Sequence, residues 1–374
     1  ATKGPCAGKA RSELASRTER RRPTAGMLRA LSSWRRCVGP GAAVALAAAG
    51  QDETSASEEF ASSCALPTNW VGCELLRVEP HTKDTSLFTF ATPRRTPLHL
   101  PTCACLLLRA PGCEHGGGDA VRPYTPVGEG DDGTFRLVVK RYAEWGFKPE
   151  GNFDTYAFAR SYRPAGAVSN YVFSRSVGES VEFKHVSANV RIPYPFIGVD
   201  RLNLIAVGAG IAPMVQALEK LLNTPGDNTD IVLLYGNRTV EDILMRDKLD
   251  KWAVQHAHRF KVVYCVGSRY SNVKVGMKLA VKKEQFSTTV DALTAAPELD
   301  GMDGLPVSKS QASERGWVGK VAISKHAFAP SAQTRTFVCG LPSVYDSLCG
   351  ARADPECTGV LRDLGYLTEH VVKF

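Results

Sequence analysis

No C-x-x-C pair occurs among the eleven cysteines of this 374-residue chain, and no histidine cluster stands beside them. Zinc sites and disulfide frameworks announce themselves by such spacings, so the sequence predicts no metal site and no disulfide framework. The cysteines read as buried, reduced thiols acting as small apolar residues. Cys103 and Cys105 form a C-x-C, which on a strand would share one face. Long apolar runs are missing as well. The run Val38–Ala49 covers 12 residues and is broken by Gly39, Pro40 and Gly41. That falls short of the roughly 20 residues a membrane-spanning helix needs.

Net charge is absent from most of the chain. The total is +8, and residues 1–50 already supply it with ten Lys and Arg against two acids. The remainder is balanced, so the basicity belongs to a tail and not to a folded face, and a nucleic-acid-binding body would need a basic patch of its own. Acid is absent between Met27 and Gln51, where arginine, serine and apolar residues dominate. That composition predicts a mitochondrial transit segment, with a weak membrane anchor or a simple tail as the rival readings. Met27 is expected as the start, with residues 1–26 as upstream read-through or a truncated longer form.

Residues 1–65 therefore read as targeting segment and linker. From about 66 to 198 the signals are short and strand-like (VGCELLRVEP, SLFTFAT, ACLLLRA, TFRLVVKRY, ESVEFKHV), separated by Gly, Pro and Asp. They predict an antiparallel β-barrel or sandwich. From 199 to 374 apolar strands alternate with helical stretches, which predicts a parallel sheet covered on both faces, an α/β domain. Residues 144–163 and 269–315 fit neither pattern and read as insertions.

Five stretches carry chemistry. VGAGIAP (207–213) ends a strand and opens a helix, and the free N–H groups at such an end favour an anion. Gly208 and Gly210 allow a tight turn and close approach, and Pro213 suits a first helical turn. FVCGLP (337–342) ends another apolar strand, so Cys339 and Gly208 lie where an open sheet places its ligands. In NRTVED (237–242), Thr239 and Asp242 have capping-box spacing, and Asp242 could accept from a ribose hydroxyl. In RPYTP (122–126), Arg122 suits a phosphate, Tyr124 a flat ring and Thr125 a ring nitrogen. The prolines suit a sheet edge. GAVSN (166–170) offers Ser169 and backbone N–H groups to a second phosphate.

In this order, RPYTP, LVVKRY, G-x-x-S, VGAGIAPM, YGNRTVEDIL and VCGLP resemble the cytochrome b5 reductase branch of the ferredoxin–NADP reductase superfamily. The resemblance runs from about Trp70 to Phe374, outside the two insertions. It implies an FAD-binding β-barrel followed by a nicotinamide-binding α/β domain. By the same resemblance, Arg122, Pro123, Tyr124 and Thr125 hold FAD, with Thr125 near the reactive nitrogen. Val138 and Lys140 line the flavin and nucleotide site, and Ala167, Val168 and Ser169 hold the pyrophosphate. Gly208, Ala209, Gly210 and Ala212 meet the nicotinamide nucleotide. Cys339, Gly340 and Pro342 sit by its ring, Cys339 being a catalytic candidate beside Thr125. Asp242 matches an acid associated with NADH over NADPH.

The chain departs from the family pattern in three places. Ala209 and Ala212 replace threonines, G-A-V-S replaces G-K-M-S, and C-G-L-P replaces C-G-P-P. A lost hydrogen bond to a charged group is worth roughly 1.5–3 kcal/mol, which predicts a weakened nicotinamide site. The expected function is electron transfer from NADH through FAD to a cytochrome b5-like haem protein. The alternative is a flavin-binding structural or assembly subunit of a larger mitochondrial complex. Membrane association would run through the N-terminal segment.

Overall fold

A computed structural model describes residues 64–144, 164–186, 190–267 and 310–374, all within one compact unit. The targeting segment, residues 145–163 of the first expected insertion and 269–309 of the second lie outside the described residues.

Seven strands build the first layer: β1 (Val71–Thr82), β2 (Thr85–Ala91), β3 (Leu106–Ala110), β4 (Ala120–Tyr124), β5 (Gly128–Glu129), β6 (Thr134–Lys140) and β7 (Ser180–His185). They pair antiparallel in the order β4-β3-β7-β1-β2-β6-β5. The edge strands β4 and β5 are joined by only Thr125, Pro126 and Val127. Four peptide steps reach at most about 14 Å, so the RPYTP stretch draws the edges together and closes the sheet into the expected barrel. Period-2 alternation sends Phe88, Phe90, Phe135 and Phe183 inward, each no more than 1% exposed. The Phe183 ring meets Phe90 and Phe135 edge-on, with centroids 5.0 and 5.3 Å apart. Each such burial contributes about 1.5–3 kcal/mol. Helix α1 (Ala167–Phe173) adds Val168 and Val172 to this core.

Six parallel strands build the second layer: β8 (Arg201–Val207), β9 (Asp230–Asn237), β10 (Phe260–Val266), β11 (Gln311–Arg315), β12 (Thr334–Cys339) and β13 (Val371–Lys373), in the order β11-β10-β9-β8-β12-β13. Their unbroken apolar character has a direct cause. On one face Leu202, Leu204, Leu233 and Phe337 meet helices α2 (Ile211–Asn223) and α3 (Arg246–Gln255). On the other, Ile205, Val232, Leu234 and Val338 meet α4 (Lys320–His326), α5 (Pro342–Leu348) and α6 (Gly359–Asp363). Val127, Val138 and Cys103 of the barrel join the first of these cores, so barrel and sheet share packing.

Three local expectations are corrected. The helix that the capping-box spacing of Thr239 and Asp242 implies begins only at Arg246, so these two residues form a turn and not a helix cap. Met245 stands before that helix at φ 59°, and the N–H groups of Leu244 and Met245 are taken by Tyr235 and His81. Side chains from elsewhere thus win those donors from the helix. Cys103 and Cys105 precede β3 and lie on no strand. Cys103 is at φ 65°, and its N–H and thiol bond Gln216 and the Pro213 carbonyl of α2. Finally, the end of the second expected insertion is strand β11, an edge strand paired in parallel with β10.

Candidate active site

Strand order places the site. After β8 the chain moves to β9 on one side, while β12 pairs on the other. Neighbouring strands connected to opposite sides leave a crevice at their carboxyl ends. Gly208–Gly210, a 3-10 turn, closes β8 there, and Cys339 closes β12, with Cys339 paired in register to Ala206. The two glycines differ in purpose. Gly208 has φ 54° with open space where a side chain would stand. Gly210 lies against the Cys339 carbonyl and the Gly340 nitrogen, so its missing side chain serves helix packing. Gly340 likewise makes room for Val344, 2.8 Å from where its Cβ would be. Pro342 opens α5, where its missing N–H is not needed.

Tyr235 braces the turn. Its hydroxyl donates to the Gly208 carbonyl at 3.0 Å and accepts from Leu244 N–H at 3.3 Å. Burial pushes this phenol far above its usual range, so it remains a donor. Burial also pushes the Cys339 thiol up to about 11, against a hydrogen bond with Tyr345 that pulls it down. Cys339 is thus a neutral thiol at pH 7 and no nucleophile. Ala209 is half-buried and Ala212 is 8% exposed.

The barrel brings charge to the same place. The end of β6 lies against the Gly208–Gly210 turn, with Val138 buried and Lys140 at its tip. Lys140 Nζ donates to Asp84 at 2.6 Å and stands 3.8 Å from Asp242. Arg238 reaches Asp242 at 3.4 Å and Asp84 at 3.6 Å, and Lys83 reaches Asp242 at 3.6 Å. Three cations and two carboxylates from both layers therefore form one cluster. Burial alone would raise Asp84, but Lys140, Thr85 and Thr82 outweigh it and hold its carboxyl below the usual range. Asp242 is 5% exposed, yet neither oxygen has a hydrogen bond. The Asn237 side chain, at the carboxyl end of β9, also lacks one of good geometry. An unmet buried polar group costs about 1–3 kcal/mol, and these groups suit the hydroxyls and amide of a nicotinamide nucleotide.

RPYTP spans the barrel edge. Arg122 and Pro123 are exposed on β4, and Tyr124 is half-buried against the barrel core. Burial raises the Tyr124 phenol, keeping it neutral. Thr125 follows as a half-buried residue in the link between the edge strands. Helix α1 begins nearby, since Gly166 N–H bonds the Tyr142 carbonyl two residues past Lys140. Val168 points into the barrel core, and the Ser169 hydroxyl donates to the Gly166 carbonyl at 3.2 Å. What Ala167, Val168 and Ser169 can offer an anion is therefore backbone N–H, with no side-chain cap competing for it. An exposed guanidinium, a half-buried ring and free backbone donors along one edge fit an FAD molecule.

The structure thus joins Val138, Lys140, Asp242 and Gly208–Gly210 at the crevice, with Cys339 across from β8. Arg122 and the start of α1 line the barrel edge leading there. Sequence reasoning missed Asp84, Lys83, Arg238 and Asn237, whose only sequence signal is proximity to a turn. A separate cavity of about 510 Å³, lined by Asp200, Arg201, Asp227 and Gln333, opens at the amino ends of the strands, away from these residues. Among the described residues there is no group of side chains able to hold a metal ion and no helix long and apolar enough to cross a membrane.

Comparison with known proteins agrees with this geometry. Residues 72–191 match the oxidoreductase FAD-binding domain and 204–305 the oxidoreductase NAD-binding domain. NADH-cytochrome b5 reductase 2-A of Vanderwaltozyma polyspora is 27% identical over 313 residues, covering 82% of this chain and 84% of that protein. The NADH-cytochrome b5 reductase-like protein of Arabidopsis thaliana is 27% identical over 328 residues, covering 85% and 81%. Among solved structures, the cytochrome b5 reductase domain of Ulva prolifera nitrate reductase aligns with TM-score 0.58 at 24% identity, covering 82% of this chain and 98% of that domain, a likeness of fold. The barrel, the parallel sheet and the two matched domains lead to one conclusion: the chain is an oxidoreductase with an FAD-binding and an NAD-binding domain, uses FAD and NADH, and resembles NADH-cytochrome b5 reductases over most of its length.

Proposed function

We propose that this protein passes electrons from NADH through FAD to a one-electron haem-protein acceptor of the cytochrome b5 type. The observation that carries this is the contact of β6 with the Gly208–Gly210 turn, which sets Val138 and Lys140 of the flavin layer beside the nucleotide end of the sheet. Bound FAD would supply the chemistry, taking hydride from NADH and releasing electrons singly.

The chain's residues then position and exclude. Arg122 holds a flavin phosphate, Tyr124 packs against the ring, and Thr125 presents its hydroxyl to a ring nitrogen. Backbone N–H groups of Ala167, Val168 and Ser169 take the second phosphate. Gly208 and Ala209 face the nicotinamide nucleotide, and Lys140 and Asp242 meet its polar groups. Cys339 would sit by the nicotinamide ring as a neutral thiol.

An anaerobic NADH titration followed at the flavin absorption band tests the first half. Bleaching at one equivalent of NADH supports it, and a band that stays oxidised overturns it. Reduction of purified cytochrome b5 by the reduced protein tests the second, and reduction of quinones or ferric chelates alone would replace the haem acceptor. The arginine-rich, acid-free stretch after Met27 supports a mitochondrial address. A fluorescent fusion of residues 27–65 would display it, with surface-membrane or diffuse fluorescence counting against it.

A further inference from the structure

The β3–β4 connection holds a carboxylate on the arginine assigned to flavin phosphate. It contains three successive glycines, Gly116, Gly117 and Gly118, at φ 101°, 90° and 100°. Other residues would be strained there. Gly117 N–H bonds the Glu114 carbonyl at 3.0 Å and Glu114 N–H the Gly118 carbonyl at 3.1 Å, closing the turn. Gly112 N–H donates to Asp119 at 3.0 Å and shuts its base. The turn is tied down on its other side, where His115 Nε2 lies 3.1 Å from the Ala165 carbonyl, next to the start of α1. So held, the Glu114 carboxylate sits 3.2 and 3.4 Å from Arg122 Nη2. The other terminal nitrogen of Arg122 donates to the Val121 carbonyl at 2.8 Å.

A carboxylate and a phosphate compete for the same guanidinium donors. Glu114 also cancels the one positive charge Arg122 offers. That matters more to a ligand of higher charge. A phosphate monoester carries about −1.5 to −2 at pH 7, whereas each phosphate of a pyrophosphate diester carries a single charge. We infer that Glu114 is a specificity-determining residue: it weakens the hold of Arg122 on flavin and biases the site toward FAD and against FMN. The inference rests on Arg122 as the flavin phosphate ligand.

The test uses the full-length flavoprotein. FAD release is followed by flavin fluorescence on dilution, and FMN is titrated as a displacing ligand, for the wild type, Glu114→Gln, Arg122→Gln and the double variant. Glu114→Gln is expected to tighten FAD about two- to fivefold, the range of an exposed ion pair. FMN should gain more than FAD, narrowing the FAD:FMN preference. Arg122→Gln should loosen both flavins, and Glu114→Gln should then change nothing further. Unchanged or looser FAD binding in Glu114→Gln, or an unchanged FAD:FMN preference, overturns the inference. An Arg122→Gln protein that keeps wild-type flavin release overturns instead the phosphate role of Arg122. Glu114→Ala, with the thermal midpoint of each variant, separates loss of the ion pair from any disturbance of the turn.

Discussion

His81 accepts a hydrogen bond of 2.9 Å from the backbone N–H of Met245. One end is the β1–β2 hairpin of the barrel, the other the left-handed residue that opens α3. The bond fixes the two layers against each other and requires an unprotonated ring nitrogen.

His81 is held below the usual histidine value by burial, against the opposing charge of Asp247. Its stabilising contribution is therefore complete above about pH 6.5 and is lost as pH falls through the lowered folded value. His81→Gln keeps an acceptor without a titration. It should match the wild type at pH 7.5 to within about 1 kcal/mol and lose less stability on acidification. His185 and His256, also lowered by burial, keep part of the slope. Urea unfolding at pH 7.5 and 5.5 measures the difference, and identical slopes would count against the latch.

Gly210→Ala should destabilise the protein more than Gly208→Ala, although Gly208 has the positive φ. A Cβ at 210 meets the backbone of Cys339 and Gly340, which cannot swing aside, while a Cβ at 208 meets nothing within 4 Å. Overpacking costs about 1–3 kcal/mol, and left-handed strain alone roughly 1–2. Chemical denaturation of both variants decides the order.

Asp84→Asn should lower stability at pH 7 by about 1 kcal/mol, a figure discounted for partial exposure. Asp84 is held low by Lys140 and two threonines despite burial. The stabilisation is present above about pH 3.9 and fades as pH falls through the folded value. The wild type and variant should converge in acid. A gap that does not narrow on acidification would sink this account.

Ala209→Thr should lower KM for NADH about tenfold with kcat little changed, since a hydroxyl at this half-buried turn adds a hydrogen bond of about 1.5 kcal/mol to the bound nucleotide. Ala212→Thr should not, because that side chain is 8% exposed and packs in the core under α2. Steady-state kinetics with a soluble acceptor compares the two.

Much of the fold was legible. Alternation in SLFTFAT and TFRLVVK announced half-buried strands, and unbroken runs such as IVLLYG announced strands covered on both faces. What escaped were segments whose conformation is set from outside. The turn at 239–244 carries helical residues, but Tyr235 and His81 hold its donors. Strands β11 and β13 are too short to show a period and exist because β10 and β12 offer them open edges.

The site divides in the same way. Sequence alone determined the glycine turn, the arginine–aromatic–hydroxyl order of RPYTP and the apolar strands that lead to them, because each depends on residues near in the chain. Tertiary structure alone decided that Gly210 serves packing while Gly208 faces open space, and that Asp242 meets Lys83 and Lys140. Those outcomes depend on which strands become neighbours and how the barrel seats on the sheet. No local spacing encodes a contact between residues a hundred positions apart; burial of the shared core does.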